Sequence, residues 1–190
     1  MDIYTYLHNR FPPVTCTVPG PKCGDDCQTL YFCTRVGDEL IPQYLDTCRG
    51  LTCNKDRCSR NPSLECAIKG IDFECRSLEG MYPDPGSCKK FHYCVPEYES
   101  DQLNRTTSAC KGNFGYNPRT TYCDVPLLPG GTCSGDPIPL CRRPGDNGAI
   151  KANPTLYYIC GRYLGTGILY PYLHMCANGK TYNATLFDCQ

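Results

Sequence analysis

Eighteen cysteines in 190 residues pose the first chemical choice for this chain: thiolate metal ligands, or disulfides. Cys23 and Cys27, and again Cys53 and Cys58, stand at nearly the spacing of zinc-finger ligands. The even count and the density favour pairing. So many thiols persist where an oxidising compartment joins them, which places the protein outside the cell as a secreted or extracellular-matrix protein. Two N-glycosylation sequons, at Asn104 and Asn183, suit that compartment. The remaining reactive side chains form no catalytic pattern. His8, His92 and His174 lie far apart, with no serine elbow and no paired-carboxylate motif, and His92 reads as a half-buried residue of a strand. The expectation is a protein that is not an enzyme and takes no metal or cofactor.

Charge narrows the partners. Nineteen basic and nineteen acidic residues cancel, and Lys89-Lys90 and Arg142-Arg143 are isolated pairs, so nucleic acid and anionic membrane are poor partners. No stretch is apolar enough to span a bilayer. Met1 to Arg10 is too polar for a signal peptide, so the sequence reads either as a mature chain with an added Met1 or as a fragment.

The elements that must position these residues are small. The longest apolar run, Gly165 to Tyr172, is broken by glycine and proline. Eighteen glycines and seventeen prolines favour turns and short strands over helices. A single large core is out of reach, and disulfides, each contributing about 2–4 kcal/mol, must supply the stability.

Cysteine spacing shows a repeat. Between Cys75, Cys88, Cys94, Cys110, Cys123 and Cys133 the gaps are twelve, five, fifteen, twelve and nine residues. Between Cys16, Cys27, Cys33, Cys48, Cys58 and Cys66 they are ten, five, fourteen, nine and seven. An aromatic precedes the third cysteine each time: Phe32-Cys33 and Tyr93-Cys94. The last stretch holds Cys141, Cys160, Cys176 and Cys189, with gaps of fifteen and twelve after Cys160 and with Pro154 in the second-cysteine slot. Three modules are expected: residues 1–72, with eight cysteines; 73–134, with six; and 135–190, with four. If second and sixth cysteines are partners, their joint loss from the last module leaves no orphan thiol. The additional Cys23 and Cys53 suggest one extra bridge in the first.

The middle module resembles the peritrophin-A (invertebrate type-2) chitin-binding domain. The resemblance lies in Gly80-Met81-Tyr82-Pro83-Asp84-Pro85, in Cys88-Lys89-Lys90-Phe91-His92-Tyr93-Cys94, in Gly115-Tyr116-Asn117-Pro118 and in Tyr122-Cys123-Asp124-Val125-Pro126. The last module resembles it more loosely through Leu156-Tyr157-Tyr158-Ile159-Cys160 and the segment from Gly179 to Cys189. The first keeps Leu30-Tyr31-Phe32-Cys33 but has no aromatic-Asn motif before Cys58. The resemblance implies a small, disulfide-rich, mainly β fold, each module a short antiparallel sheet plus a β-hairpin. Its pairing scheme, first cysteine with third, second with sixth and fourth with fifth, implies Cys75–Cys94, Cys88–Cys133 and Cys110–Cys123. It likewise implies Cys16–Cys33, Cys27–Cys66 and Cys48–Cys58, leaving Cys23–Cys53, and Cys141–Cys160 with Cys176–Cys189. Lys89 to Pro96 reads as a strand, and Asn113 to Asp124 as a hairpin turning at Asn117-Pro118.

The implied ligand is chitin, an uncharged N-acetylglucosamine polymer that calls for exposed rings and a few amide, hydroxyl or carboxylate groups. Fifteen tyrosines and no tryptophan suit such a wet surface. The candidate chitin contacts are Tyr116, Asn117, Tyr122, Asp124 and Tyr82. Tyr82, with Phe91 and Tyr93, also reads as core, Tyr116 and Tyr122 read equally as core or as contact, Asn117 as a turn residue and Asp124 as a cap on a backbone amide. Val125 replaces the family's tryptophan, and a glycan on Asn183 would obstruct the last module. The rival expectation is an adapter for another extracellular protein, of host or insect-virus origin, working through a long polar loop from Val95 to Ala109.

Overall fold

A computed structural model of the chain describes residues 14–100, 102–164 and 166–190. His8 and the Met1 to Arg10 stretch lie outside the described residues. The fold is mainly β, in small sheets pinned by nine disulfides. The chain divides between Cys66 and Ala67 into two compact units, so that the expected modules 73–134 and 135–190 share the second.

In the first unit β1 (Gly20–Cys23), β2 (Thr29–Val36) and β3 (Glu39–Thr47) form an antiparallel sheet in that order. Period-2 alternation sorts β2: Thr29, Tyr31 and Cys33 are buried, whereas Phe32 and Val36 are exposed. Gly37, at φ 62°, supplies the left-handed residue of the tight β2–β3 turn. A hairpin of β4 (Thr52–Asn54) and β5 (Arg57–Ser59) and a one-turn helix α1 (Leu64–Ala67) follow. Four bridges hold these pieces: Cys16–Cys33, Cys23–Cys53, Cys27–Cys66 and Cys48–Cys58. The two zinc-like spacings are thereby divided among three separate bridges.

The second unit contains two three-stranded antiparallel sheets. One is β6 (Gly80–Asp84), β7 (Ser87–Pro96) and β8 (Leu103–Ala109). The short pair β9 (Phe114–Gly115) and β10 (Val125–Pro126) follows it. The second sheet is β11 (Asn147–Ile150), β12 (Asn153–Arg162) and β13 (Leu169–Met175), followed by β14 (Tyr182–Asn183) and β15 (Asp188–Cys189). The bridges are Cys75–Cys94, Cys88–Cys133, Cys110–Cys123, Cys141–Cys160 and Cys176–Cys189.

The segment from Val95 to Ala109 is not a long loop. Its residues extend β7 to Pro96 and then form β8, paired from Lys90↔Ala109 to Pro96↔Leu103. Its polarity comes from its place at a sheet edge, where both faces of Thr106 and its neighbours are wet. The sequon residue Asn104 is exposed on this strand.

The two sheets of the second unit pack on each other. The Arg76 guanidinium carbon lies 3.6 Å from the centre of the Tyr172 ring. The Met175 backbone N–H donates to Ser77 Oγ at 2.9 Å, and Asn153 Nδ2 to the Pro118 carbonyl at 3.0 Å. Gly80 sits so close to Met175 that a Cβ there would lie 2.8 Å from Met175 Cε. Tyr170, Pro171, Tyr172 and Leu173 are buried, so the C-terminal end of the longest apolar run lies in the core of this unit, whereas Ile168 stays exposed.

Candidate functional site

The hairpin between β9 and β10 joins the side chains of Asn117, Thr120 and Asp124 next to the exposed Tyr122, and backbone bonds set its shape. The Asn117 N–H donates to the Tyr122 carbonyl, and the Thr121 N–H to the Asn117 carbonyl, both at 2.8 Å. Thr121 is left-handed, with φ 63°. Below the turn, Cys110–Cys123 ties the hairpin to the end of β8.

Within this frame Asn117 works in two directions. Its Oδ1 accepts from the Arg119 N–H at 3.0 Å, an Asx turn, and its Nδ2 donates to Asp124 Oδ1 at 2.8 Å. Thr120 Oγ1 donates to Asp124 Oδ2, also at 2.8 Å. Asp124 is thus held chiefly by two side chains, with a backbone amide making a smaller contribution. The two bonds, that of Thr120 foremost and then that of Asn117, hold the Asp124 carboxyl below the usual carboxylate range although it is exposed. Beside this chain of amide, hydroxyl and carboxylate stands Tyr122, 71% exposed, with Phe114 also open to solvent.

Tyr116 and Tyr82 belong elsewhere. Tyr116 is 5% exposed and stacks on buried Phe91, ring centroids 4.7 Å apart. Met81 and the Cys110–Cys123 bridge close around it. Burial pushes its phenol up to about 12. Tyr82 is 1% exposed, and its hydroxyl donates to the Leu78 carbonyl at 2.6 Å. Neither ring offers a face to a ligand, because the small core of this sheet needs both. Tyr93 shares Phe91's face of β7 and meets that ring edge to face, centroids 5.5 Å apart, at the partly exposed margin of the same core.

His92 is fully buried rather than half-buried. Its Nδ1 pairs with Thr107 Oγ1 and its Nε2 with Asp84 Oδ2, each at 2.9 Å, while Phe73 stacks on the ring at 4.1 Å. Both nitrogens are satisfied by neighbouring strands, which makes it a structural histidine. His174, half-buried, stacks on Tyr157 at 5.2 Å, and Tyr157 on Tyr182 at 4.0 Å. Burial first, and then Arg76, holds the His174 imidazole below its ordinary range.

Every described cysteine is disulfide-bonded, and among the described residues no cluster of His, Cys, Asp or Glu is arranged to hold a metal ion. The residue that sequence reasoning passes over is Thr120. A hydroxyl residue four positions before an acid is too common to stand out until the turn brings them together.

Residues 75–129 match the family described as chitin binding Peritrophin-A domain, a carbohydrate-binding and non-catalytic family. The match begins at Cys75 and takes in the whole Asn117–Asp124 turn. No curated protein and no solved structure matches the chain. Among the described residues no helix is long and apolar enough to cross a membrane.

Proposed function

We propose that the protein binds chitin outside the cell without catalysis, and that the turn from Asn117 to Asp124 is the contact. Tyr122 supplies a flat apolar face for an N-acetylglucosamine ring. Asn117, Thr120 and Asp124, locked to each other, present a polar rim that fixes the sugar's orientation. The observation that carries this reading is the pairing of an exposed ring with a hydrogen-bonded amide–hydroxyl–carboxylate chain inside the family-matched segment. Because bridges and backbone bonds hold the turn before ligand arrives, little ordering entropy opposes binding. Tyr116 and Tyr82 act beneath it as packing. We further read the chain as three tandem modules, 1–72, 73–134 and 135–190, whose joint engagement of a repeating polymer would add avidity. Asn104 and Asn183 are the glycan acceptors.

The test is retention of the whole chain on chitin beads, with cellulose beads as control, for the parent and Tyr122→Ala. Loss of one stacked ring is worth about 1 kcal/mol, so affinity should fall about fivefold with the fold intact. Equal retention of parent and variant would remove Tyr122 from the site.

A second reading, an adapter for an extracellular protein, draws on one observation. The first unit exposes Phe32, Val36, Ile41 and Leu45 on β2 and β3. A parent chain that washes through chitin while fully oxidised would favour it.

A further inference from the structure

The β14–β15 hairpin repeats the construction of the Asn117–Asp124 turn. Asparagine follows tyrosine in both, as Tyr116-Asn117 and Tyr182-Asn183. In both, its Oδ1 accepts the amide two residues on, from Arg119 at 3.0 Å and from Thr185 at 2.9 Å. In both, the residue two before the closing cysteine is left-handed: Thr121 at φ 63° and Phe187 at φ 55°. Both turns also point a ring outward. In the first it is Tyr122; in the second it is Phe187, 70% exposed, with Leu186 beside it at 58%.

Phenylalanine is a poor choice at that backbone position. A bulky side chain at positive φ is disfavoured, and glycine or asparagine would hold the turn with less strain. Nor does the ring fill a core. A residue that opposes its own turn and is left in solvent is best explained by what it presents.

We propose that Phe187, flanked by Leu186, is a second stacking platform for N-acetylglucosamine rings of the same polymer. The proposal rests on the chitin reading of residues 75–129 and extends it to a segment outside the family match. The chemistry of the turn suits a sugar: one protruding apolar pair, far smaller than the centre of a protein interface, beside an amide and the Asp188 carboxylate. In chains that carry no glycan on Asn183, the amide has donor capacity to spare, since among the described residues its Nδ2 makes only a 3.5 Å contact with Gln190 Oε1. Two platforms on one compact unit would engage a polymer together.

The test uses the whole chain carrying Thr185→Ala, which removes the sequon and keeps Asn183, so that no attached glycan crowds the turn. Chitin-bead retention and titration with an N-acetylglucosamine hexamer are compared for this parent, Tyr122→Ala, Phe187→Asn and the double variant. Phe187→Asn should weaken binding about fivefold, and the double variant should bind more weakly than either single change. It should also raise the melting temperature, because asparagine tolerates the left-handed conformation. Unchanged binding by Phe187→Asn, with Tyr122→Ala still impaired, overturns the platform and leaves the first site standing. A lowered melting temperature also overturns it, by making the ring structural. A parent that binds neither beads nor hexamer overturns the chitin reading itself, and the platform with it.

Discussion

Tyr116 lies almost flat on Phe91, their planes 15° apart, and its hydroxyl is buried without a hydrogen-bond partner among the described residues. The ring stabilises this sheet while its oxygen opposes burial. Tyr116→Phe should therefore be neutral or stabilising by up to about 1 kcal/mol, whereas Tyr116→Ala should cost about 3–5 kcal/mol. The same pair sets an alkaline limit. The unfolded phenol releases its proton near 10, the folded one near 12. The stability that the protonated phenol contributes is thus complete below pH 10 and drains away as pH rises toward 12. Denaturant melts of parent and Tyr116→Phe should differ by a constant amount below that window and diverge within it, with the variant increasingly the more stable.

The Asp124 carboxylate predicts an acid limit for binding. Its depressed pKa means that the links to Thr120 and Asn117 are intact at neutral pH and break only as pH falls below the usual carboxylate range, under about 4. Chitin retention should stay flat from pH 7 to that point. Asp124→Asn should lower retention at neutral pH and remove the further acid decline. A decline already complete at pH 6 would point to a histidine instead.

His174 makes the opposite contribution, to stability. Burial and Arg76 keep its ring neutral when folded, so the unfolded chain takes up a proton first as pH falls. The second unit should lose stability from about pH 6.5 downward, through the depressed folded value. In His174→Gln the melting temperature should fall less steeply between pH 7 and 5, which thermal melts at a series of pH values will read.

Gly80 tests the joint between the two sheets. At φ 146° and against Met175 it has no room for a side chain. Gly80→Ala should destabilise the second unit by about 1–3 kcal/mol. Met175→Ala in the same background should recover part of that loss, a coupling measurable by a double-mutant cycle.

Much of the fold is legible in the spacing of cysteines and in the aromatic pattern between them. Lys89 to Pro96 reads as a strand because it is short and rich in aromatics, and it falls inside β7. Less legible is which way a ring points. Tyr116 and Tyr122 are close in sequence and alike in composition, yet Tyr116 meets Phe91 and Tyr122 meets water. The difference arises in the turn between them, where left-handed Thr121 redirects the backbone, and no local residue type announces it. The edge strand β8 is hidden for a related reason. An exposed strand and a loop share the same polar composition, and only the partner β7 distinguishes them.

Residues 135–190 carry one bridge fewer than the cysteine spacing of 73–134 allows, with Pro154 in the vacant slot. What they have instead is a neighbour: Tyr172 under Arg76, Met175 against Gly80 and bonded to Ser77. A segment that borrows its stability in this way is not a portable cassette. Gene rearrangements that copied or transplanted it alone would deliver a chain exposing Tyr172 and Met175, and selection should remove them. Residues 67–190 form one compact unit in which the last module leans on the middle one, so lineages that lengthen or shorten this protein should gain or lose the two modules together.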